Sequence, residues 1–412
     1  MIIRKTANYW VPFVIILAMV GMTFLNLRVD RQTEFVDYFA PRWSAARNWM
    51  REGWSPYSDE THDATLSLLK ENNAKADEIS KGNFLDPVWY VIFYIPISFV
   101  PYPIAKAIWM TLIQISVGVS IYLALQLSGI ELKGLGTVLT VILGMLFYPF
   151  VRDYLAVNMM SIFVMLTLLG VKLALAGQGM EAGLLFLLAL WGNPGALFVM
   201  ILLLLILGGR RDNSMMRMVI VGFAFFLITT LILFPGWVGD WFANIILLEP
   251  GLDWLSTPWM GLSAVFPGAS RQISIFLHLG GMIMLLVEWY GISKRNERSI
   301  QWKLMLTLTI SYFYNLYSDG SALLLILPGY FTIIKYFSEK WPFTGKIVYW
   351  IGYIGVGILS WRFVPNPFVE IPKAHGVILL LVPLIVFLGL QWFRWWATAS
   401  PKALVESNKI TG

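Results

Sequence analysis

Asp37 stands at the foot of the segment VDYFAPRWSAARNWMREGWSPY, Val36 to Tyr57, the first long polar stretch of this chain. Val36, Phe39, Trp43, Ala46 and Met50 recur there at spacings of three and four, one apolar stripe of a helix. Arg42, Arg47, Asn48, Arg51 and Glu52 take much of the remaining surface. A carboxylate so placed can face a cavity at a membrane surface and take a proton from a hydroxyl as a general base. It can equally be a solvated first-turn charge favoured by the helix dipole. Asp30 and Glu34 are nearby rivals in positions more typical of exposed charge.

A second group is Arg271, Ser274 and His278, spaced three and four apart at the start of an apolar segment and so on one helix face. The planar donors of Arg271 suit a phosphate. The other reading is an interfacial arginine that snorkels above a histidine bonded to a neighbouring helix. Asp319 lies at the tip of a hairpin of apolar segments, where it enters the same cavity as Asp37 or is a loop charge. Arg152 and Asp153 read as an exposed pair at a short turn, and Glu288 as a snorkelling partner of Lys294 and Arg295. The three histidines lack ligand spacing, so no transition-metal site is expected. With no cysteine, disulfides, thiolate catalysis and cysteine-based metal sites are excluded.

These residues are positioned by elements of one kind. The chain has 412 residues, 58% hydrophobic and 13% charged, with 19 Trp, 27 Phe and 17 Tyr. Soluble domains carry about 25% charged residues, so this surface is not built for water. Apolar runs long enough for a bilayer core recur throughout, which predicts an all-α polytopic bundle in a single integral membrane domain, 1–412. Twelve spans are expected near 9–27, 87–101, 103–128, 135–150, 157–176, 181–207, 215–234, 272–293, 302–318, 320–337, 345–363 and 376–396. The first reads as an uncleaved anchor, since no small-x-small site precedes Arg28. Trp191-Gly192-Asn193-Pro194-Gly195 has to kink or break its helix.

Basic residues cluster at 210–217, 294–303, 335–346 and in the tail 397–412, and are sparse in the alternate loops. That bias predicts cytoplasmic termini, with loops 28–86 and 235–272 facing outward. The net charge of +6 is then an orientation signal rather than a nucleic-acid surface. Loop 28–86 should hold the Val36 helix in the headgroup plane until Gly53 breaks it, a turn at Trp54-Ser55-Pro56-Tyr57, then a more polar helix from Asp59 to Ser80. No Walker A loop or dinucleotide fingerprint occurs, so direct use of ATP is not expected.

The string Asp37-Tyr38-Phe39, then Ala45-Ala46, Gly53 and Pro56-Tyr57, resembles the first-loop pattern of GT-C superfamily glycosyltransferases. It is most similar to bacterial polyprenyl-phosphate-mannose-dependent alpha-mannosyltransferases, whose pattern runs roughly D-F-x-x-Y, small residues, G-x-x-P-Y. Asp86-Pro87 through Ile95-Pro96, Ala105 to Trp109, and Leu316-Tyr317-Ser318-Asp319 with a Leu-rich run to Pro328 extend the resemblance along most of the chain. The chain has Ala156-Val157-Asn158 where that family often has G-Q-x-N, and Asn193-Pro194 where it often has Lys-Pro. Thr257-Pro258-Trp259 stands for an Asn-Gln-Ser type segment, and no histidine accompanies the late Tyr-Asp motif.

The resemblance implies an inverting hexosyltransferase in a bacterial plasma membrane. It would move a sugar, mannose by analogy, from a polyprenyl-phosphate donor to a lipid or glycan acceptor without a cofactor. Asp37 is then the catalytic base, and Arg42, Tyr57, Asp86, Arg271, His278 and Asp319 are the substrate-binding candidates. The chemistry suits the residues. A polyprenyl phosphate is already a good leaving group, so one base and some cations suffice where glycoside hydrolysis needs a carboxylate pair. A lipid or solute transporter is the alternative; transporters show inverted repeats and paired broken helices, whereas one broken helix and no repeat are legible here.

Overall fold

The computed structural model describes residues 3–30, 37–72, 84–209, 212–248, 262–263, 265–290, 297–315, 320–362 and 373–398. Among these residues every regular element is a helix, as an apolar chain that must satisfy its own backbone requires. Six helices are long and apolar enough to cross a membrane: Tyr102–Ser128, Ser214–Leu233, Ser270–Tyr290, Gly320–Lys340, Pro342–Arg362 and Gly376–Arg394. Gly134–Met145 and Tyr148–Leu155 meet at 61° and make a seventh if taken as one bent span. Phe13–Val29, Trp89–Ser98, Met160–Leu175, Gly179–Ala189 and Ala196–Gly208 are apolar but shorter.

Two expected spans take a different form. The stretch 181–207 is two helices, Gly179–Ala189 and Ala196–Gly208, divided at Asn193-Pro194 because proline has no N–H to continue the ladder. Side chains satisfy part of the break: Asn193 Nδ2 donates to Thr167 Oγ1 at 3.1 Å, and the Gly195 N–H donates to Asn315 Oδ1 at 3.2 Å. The described part of 302–318 is the end of the helix Glu297–Ser311 followed by a 3-10 turn, Tyr312–Tyr314; residues 316–318 lie outside the described residues.

Contacts divide the chain into two compact units. The first comprises 1–115, 152–159 and 225–251; the second comprises 116–151, 160–224 and 252–412. In the first, the helix Ala40–Glu52 packs on Trp89–Ser98. Gly53 ends it with φ 71°, a left-handed conformation that favours glycine, and returns its N–H to the Trp49 carbonyl at 3.1 Å. Ser58 caps the next helix, Asp59–Glu71, through the Thr61 N–H. This helix carries His62 and ends at Glu71; residues 73–83, which include the rest of the helix expected to Ser80, lie outside the described residues.

The apolar stripe of the first-loop helix does not lie on lipid as expected. Phe39, Ala40, Trp43, Ala45 and Ala46 are buried in protein, and only Met50 of the stripe is exposed. Phe39 stacks on Tyr102 and Trp109, while Arg42 and Arg47 find protein acceptors instead of headgroups. Val36 lies outside the described residues.

The second unit has a core around Trp302, Phe186, Leu168 and Tyr312. Trp302 and Tyr312 each anchor to the helix Lys373–Thr398, donating to the carbonyls of Leu390 (3.1 Å) and Leu379 (2.7 Å). Close backbone approaches rest on glycine. A Cβ on Gly195 would fall 2.1 Å from the Ser311 carbonyl oxygen. Glu288 pairs with Arg394; Lys294 and Arg295, its expected partners, lie outside the described residues.

Candidate functional site

Asp37 sits in the short segment leading into the helix Ala40–Glu52. Its Oδ1 accepts two backbone N–H groups, Phe39 at 2.9 Å and Ala40 at 3.0 Å. Its Oδ2 accepts the Tyr102 hydroxyl and lies 2.7 Å from Lys106 Nζ. Tyr102 and Lys106 are four residues apart at the start of the helix Tyr102–Ser128, so one helix face presents both. An ionised carboxylate offers about four acceptor directions, and all four are filled here.

The reading of Asp37 as a solvated first-turn charge is therefore corrected. Its side chain is only 6% exposed and that of Lys106 12%. A carboxylate can stay in so dry a place because a cation and three hydrogen-bond donors replace the water it lost. Burial is the largest single influence and would raise the pKa. The Lys106 charge, with hydrogen bonds from Lys106, Tyr102 and Ala40, outweighs it and holds the carboxyl below its ordinary 3.8. Because the folded value lies below the unfolded one, ionisation of Asp37 stabilises the fold above the ordinary carboxylate range. That contribution is lost as pH falls through the folded value.

Three of the proposed substrate residues meet one another. Arg42 grips Asp86 with two nitrogens, Nε on Oδ2 and a terminal nitrogen at 3.0 Å on Oδ1. Its other terminal nitrogen donates to the Tyr38 carbonyl at 2.7 Å, next to Asp37. The Tyr57 hydroxyl donates to the Asp86 carbonyl at 2.8 Å. Burial, then the charges of Asp86 and Asp240, raise the Tyr57 phenol far above its ordinary value, so it stays a donor. Trp241 adds its indole N–H to the Leu85 carbonyl at 2.8 Å. Arg42, Tyr57 and Asp86 thus form a frame that ties the first-loop helix to the approach to Trp89–Ser98.

A strained turn borders the same place. The helix Tyr148–Leu155 ends in Ala156-Val157-Asn158, and Val157 has φ 53°, an outlier for a β-branched residue. The turn presents the Ala156 carbonyl to the Tyr38 N–H at 3.1 Å. Arg152 and Asp153 are not the exposed pair expected; they are 8% and 1% exposed. They sit on a helix, with the Asp153 carbonyl accepting the Asn158 N–H at 2.8 Å, rather than on a free turn.

In the second unit Arg271 is exposed at the start of the helix Ser270–Tyr290. His278 is buried, its Nδ1 2.7 Å from the Ser274 carbonyl and its Nε2 2.8 Å from that of Phe313. Both ring nitrogens thus face backbone acceptors, so the ring joins two elements of this unit and offers neither nitrogen to a ligand. Tyr314 packs edge-on to it at 5.1 Å and donates to its carbonyl. Asp319 lies outside the described residues.

Lys106 and Tyr102 escaped the sequence reading. The signal was present: a lone lysine one turn inside the apolar stretch 103–128, where an ionisable group needs a partner. Among the described residues no group of three or more His, Asp or Glu side chains could hold a metal ion.

No curated protein and no solved structure matches the chain. A family model, glycosyltransferase family 87, matches residues 84–311, more than half of its length. The match takes in Asp86, Tyr102, Lys106, Arg271 and His278, while Asp37, Arg42 and Tyr57 precede it. Apolar helices able to cross a membrane, a carboxylate kept ionised under cover of protein, and this match lead to one conclusion: the chain belongs to glycosyltransferase family 87, and it is a membrane glycosyltransferase.

Proposed function

We propose that the chain transfers a sugar, mannose in the first instance, from a polyprenyl-phosphate donor to a lipid or glycan acceptor at the outer face of the membrane, with inversion. The observation that carries the reading is Asp37, a carboxylate held ionised and nearly dry by Lys106 and Tyr102. The acceptor hydroxyl oxygen forms its bond to the anomeric carbon as the bond from that carbon to the phosphate oxygen breaks. The electron pair leaves with the polyprenyl phosphate, and the hydroxyl proton passes to Asp37. A weak base serves because the hydroxyl becomes acidic only as the new bond forms. Tyr102 is the donor whose withdrawal from Oδ2 costs least, since it is neutral, and the acceptor hydroxyl takes its place.

Arg271 is the proposed cation for the donor phosphate, and Arg42, Tyr57 and Asp86 hold the frame beside the base. Membranes containing the full chain, supplied with radiolabelled polyprenyl-phosphate mannose, should transfer label to endogenous lipid or glycan. Arg271→Ala should raise the apparent donor KM about ten- to a hundredfold, as loss of a charge-assisted hydrogen bond does. An unchanged donor KM would return Arg271 to a snorkelling role.

The proposed orientation has its own check. The chain has no cysteine, so single cysteines at exposed first-loop positions such as Arg51 and Lys70 report on one side at a time. They should react with impermeant thiol reagents added outside intact cells. Reaction only after lysis would overturn outer-face transfer.

A further inference from the structure

We infer that Lys106 is the positioning residue of the base: it keeps the buried Asp37 carboxylate charged and fixes its direction, with Tyr102 as a neutral second donor. The inference rests on the reading of Asp37 as that base. Two observations carry it. The pair is 2.7 Å apart with both side chains largely covered, so water cannot do the same work. The two carboxylate oxygens are also used differently. Oδ1 is fixed by the Phe39 and Ala40 N–H groups, which come from its own segment and cannot turn away without unwinding the helix start. Only Oδ2 is left for chemistry, and Lys106 sets its charge.

Other groups around Asp37 do not supply that cation. Arg42, on the helix Ala40–Glu52, is engaged by Asp86 and the Tyr38 carbonyl. Tyr94, on Trp89–Ser98, is directed to Met159. The turn 156–159 carries no charged side chain. Without Lys106, burial acts on Asp37 with only neutral donors against it, and the carboxyl takes up a proton. A protonated Asp37 cannot accept the acceptor's proton.

The probe is dicyclohexylcarbodiimide, an apolar reagent that attacks protonated carboxyl groups in covered sites. Full-length protein in detergent is treated across about pH 5–8, and the Asp37 peptide is read by mass spectrometry, with Asp37→Asn as the blank. The native chain should resist labelling throughout, and Lys106→Arg should behave the same way. Lys106→Gln should become labelled, with its midpoint raised by at least one pH unit, about a tenfold change in proton affinity. The acid limb of its transfer rate should move by the same amount, with activity partly regained at high pH. Tyr102→Phe should shift both in the same direction by less. An unmoved labelling midpoint and acid limb in Lys106→Gln would overturn the inference, leaving Lys106 a packing residue. If that variant fails to accumulate, an unmoved midpoint in Tyr102→Phe does so. Full activity in Asp37→Asn instead overturns the base itself, a distinct result because labelling would still report the Lys106 contact.

Discussion

Asp37→Asn is expected to lower sugar transfer by about 10²–10⁴-fold, the usual contribution of a general base. The amide keeps the shape and still accepts the Phe39 and Ala40 N–H groups, but it cannot take a proton. The amide also takes the Asp37 charge away from the covered Lys106, so folding is affected as well. Removing one partner of a buried ion pair costs about 3–5 kcal/mol. Transfer must therefore be normalised to folded protein, measured by melting in detergent. Adding Lys106→Met to Asp37→Asn removes both charges of the pair and should restore much of the stability but none of the activity. Asp30→Asn and Glu34→Gln control for local charge. Full activity in Asp37→Asn with either control inactive would assign the base to that other carboxylate. Activity in all three would end the general-base argument.

The second large effect concerns packing. Gly195→Ala should destabilise the chain by about 2–3 kcal/mol, the upper part of the range for overpacking. Gly195 caps the start of Ala196–Gly208 with an ordinary φ of −57°, so no backbone strain of its own opposes alanine there. The deciding fact is what the new methyl meets. It would fall 2.1 Å from the Ser311 carbonyl oxygen and 2.9 Å from its carbon, backbone atoms that can move only if the two elements part. Separation would also stretch the hydrogen bond from the Gly195 N–H to Asn315 Oδ1. Gly355→Ala, inside Pro342–Arg362 with nothing within 4 Å of the added atom, is the matched control and should be neutral or stabilising. Equal melting temperatures for Gly195→Ala and native protein would refute the close approach.

What could be read from the chain and what could not divide along a physical line. Helix class, the long spans and the break at Asn193-Pro194 are local properties, set by apolar run length and by a missing N–H. The pairing of Asp37 with Lys106 is not local: 69 positions separate them, and neither signals the other. For the same reason Arg42 read as a surface cation until Asp86 appeared across it. Arg152 and Asp153 looked like a turn because charge in an apolar chain suggests exposure, yet helix Tyr148–Leu155 holds both under cover. The stripe Phe39, Trp43, Ala46 had the right period for a helix. Period reports that a face is apolar, and not whether lipid or protein covers it.

The two ion pairs of the first unit have unlike prospects over evolutionary time. Arg42 and Asp86 are 20% and 23% exposed, so a lineage can lose one and let water answer for the other. Asp37 and Lys106 are far more covered, and either alone is a liability. Both together could still give way to apolar residues of similar size at little cost or even with a gain in stability. Stability by itself thus gives neither position a reason to stay charged, while the single-step route out is closed. A descendant that abandons this chemistry should discard both charges as a pair, and one that keeps either should be found keeping the other.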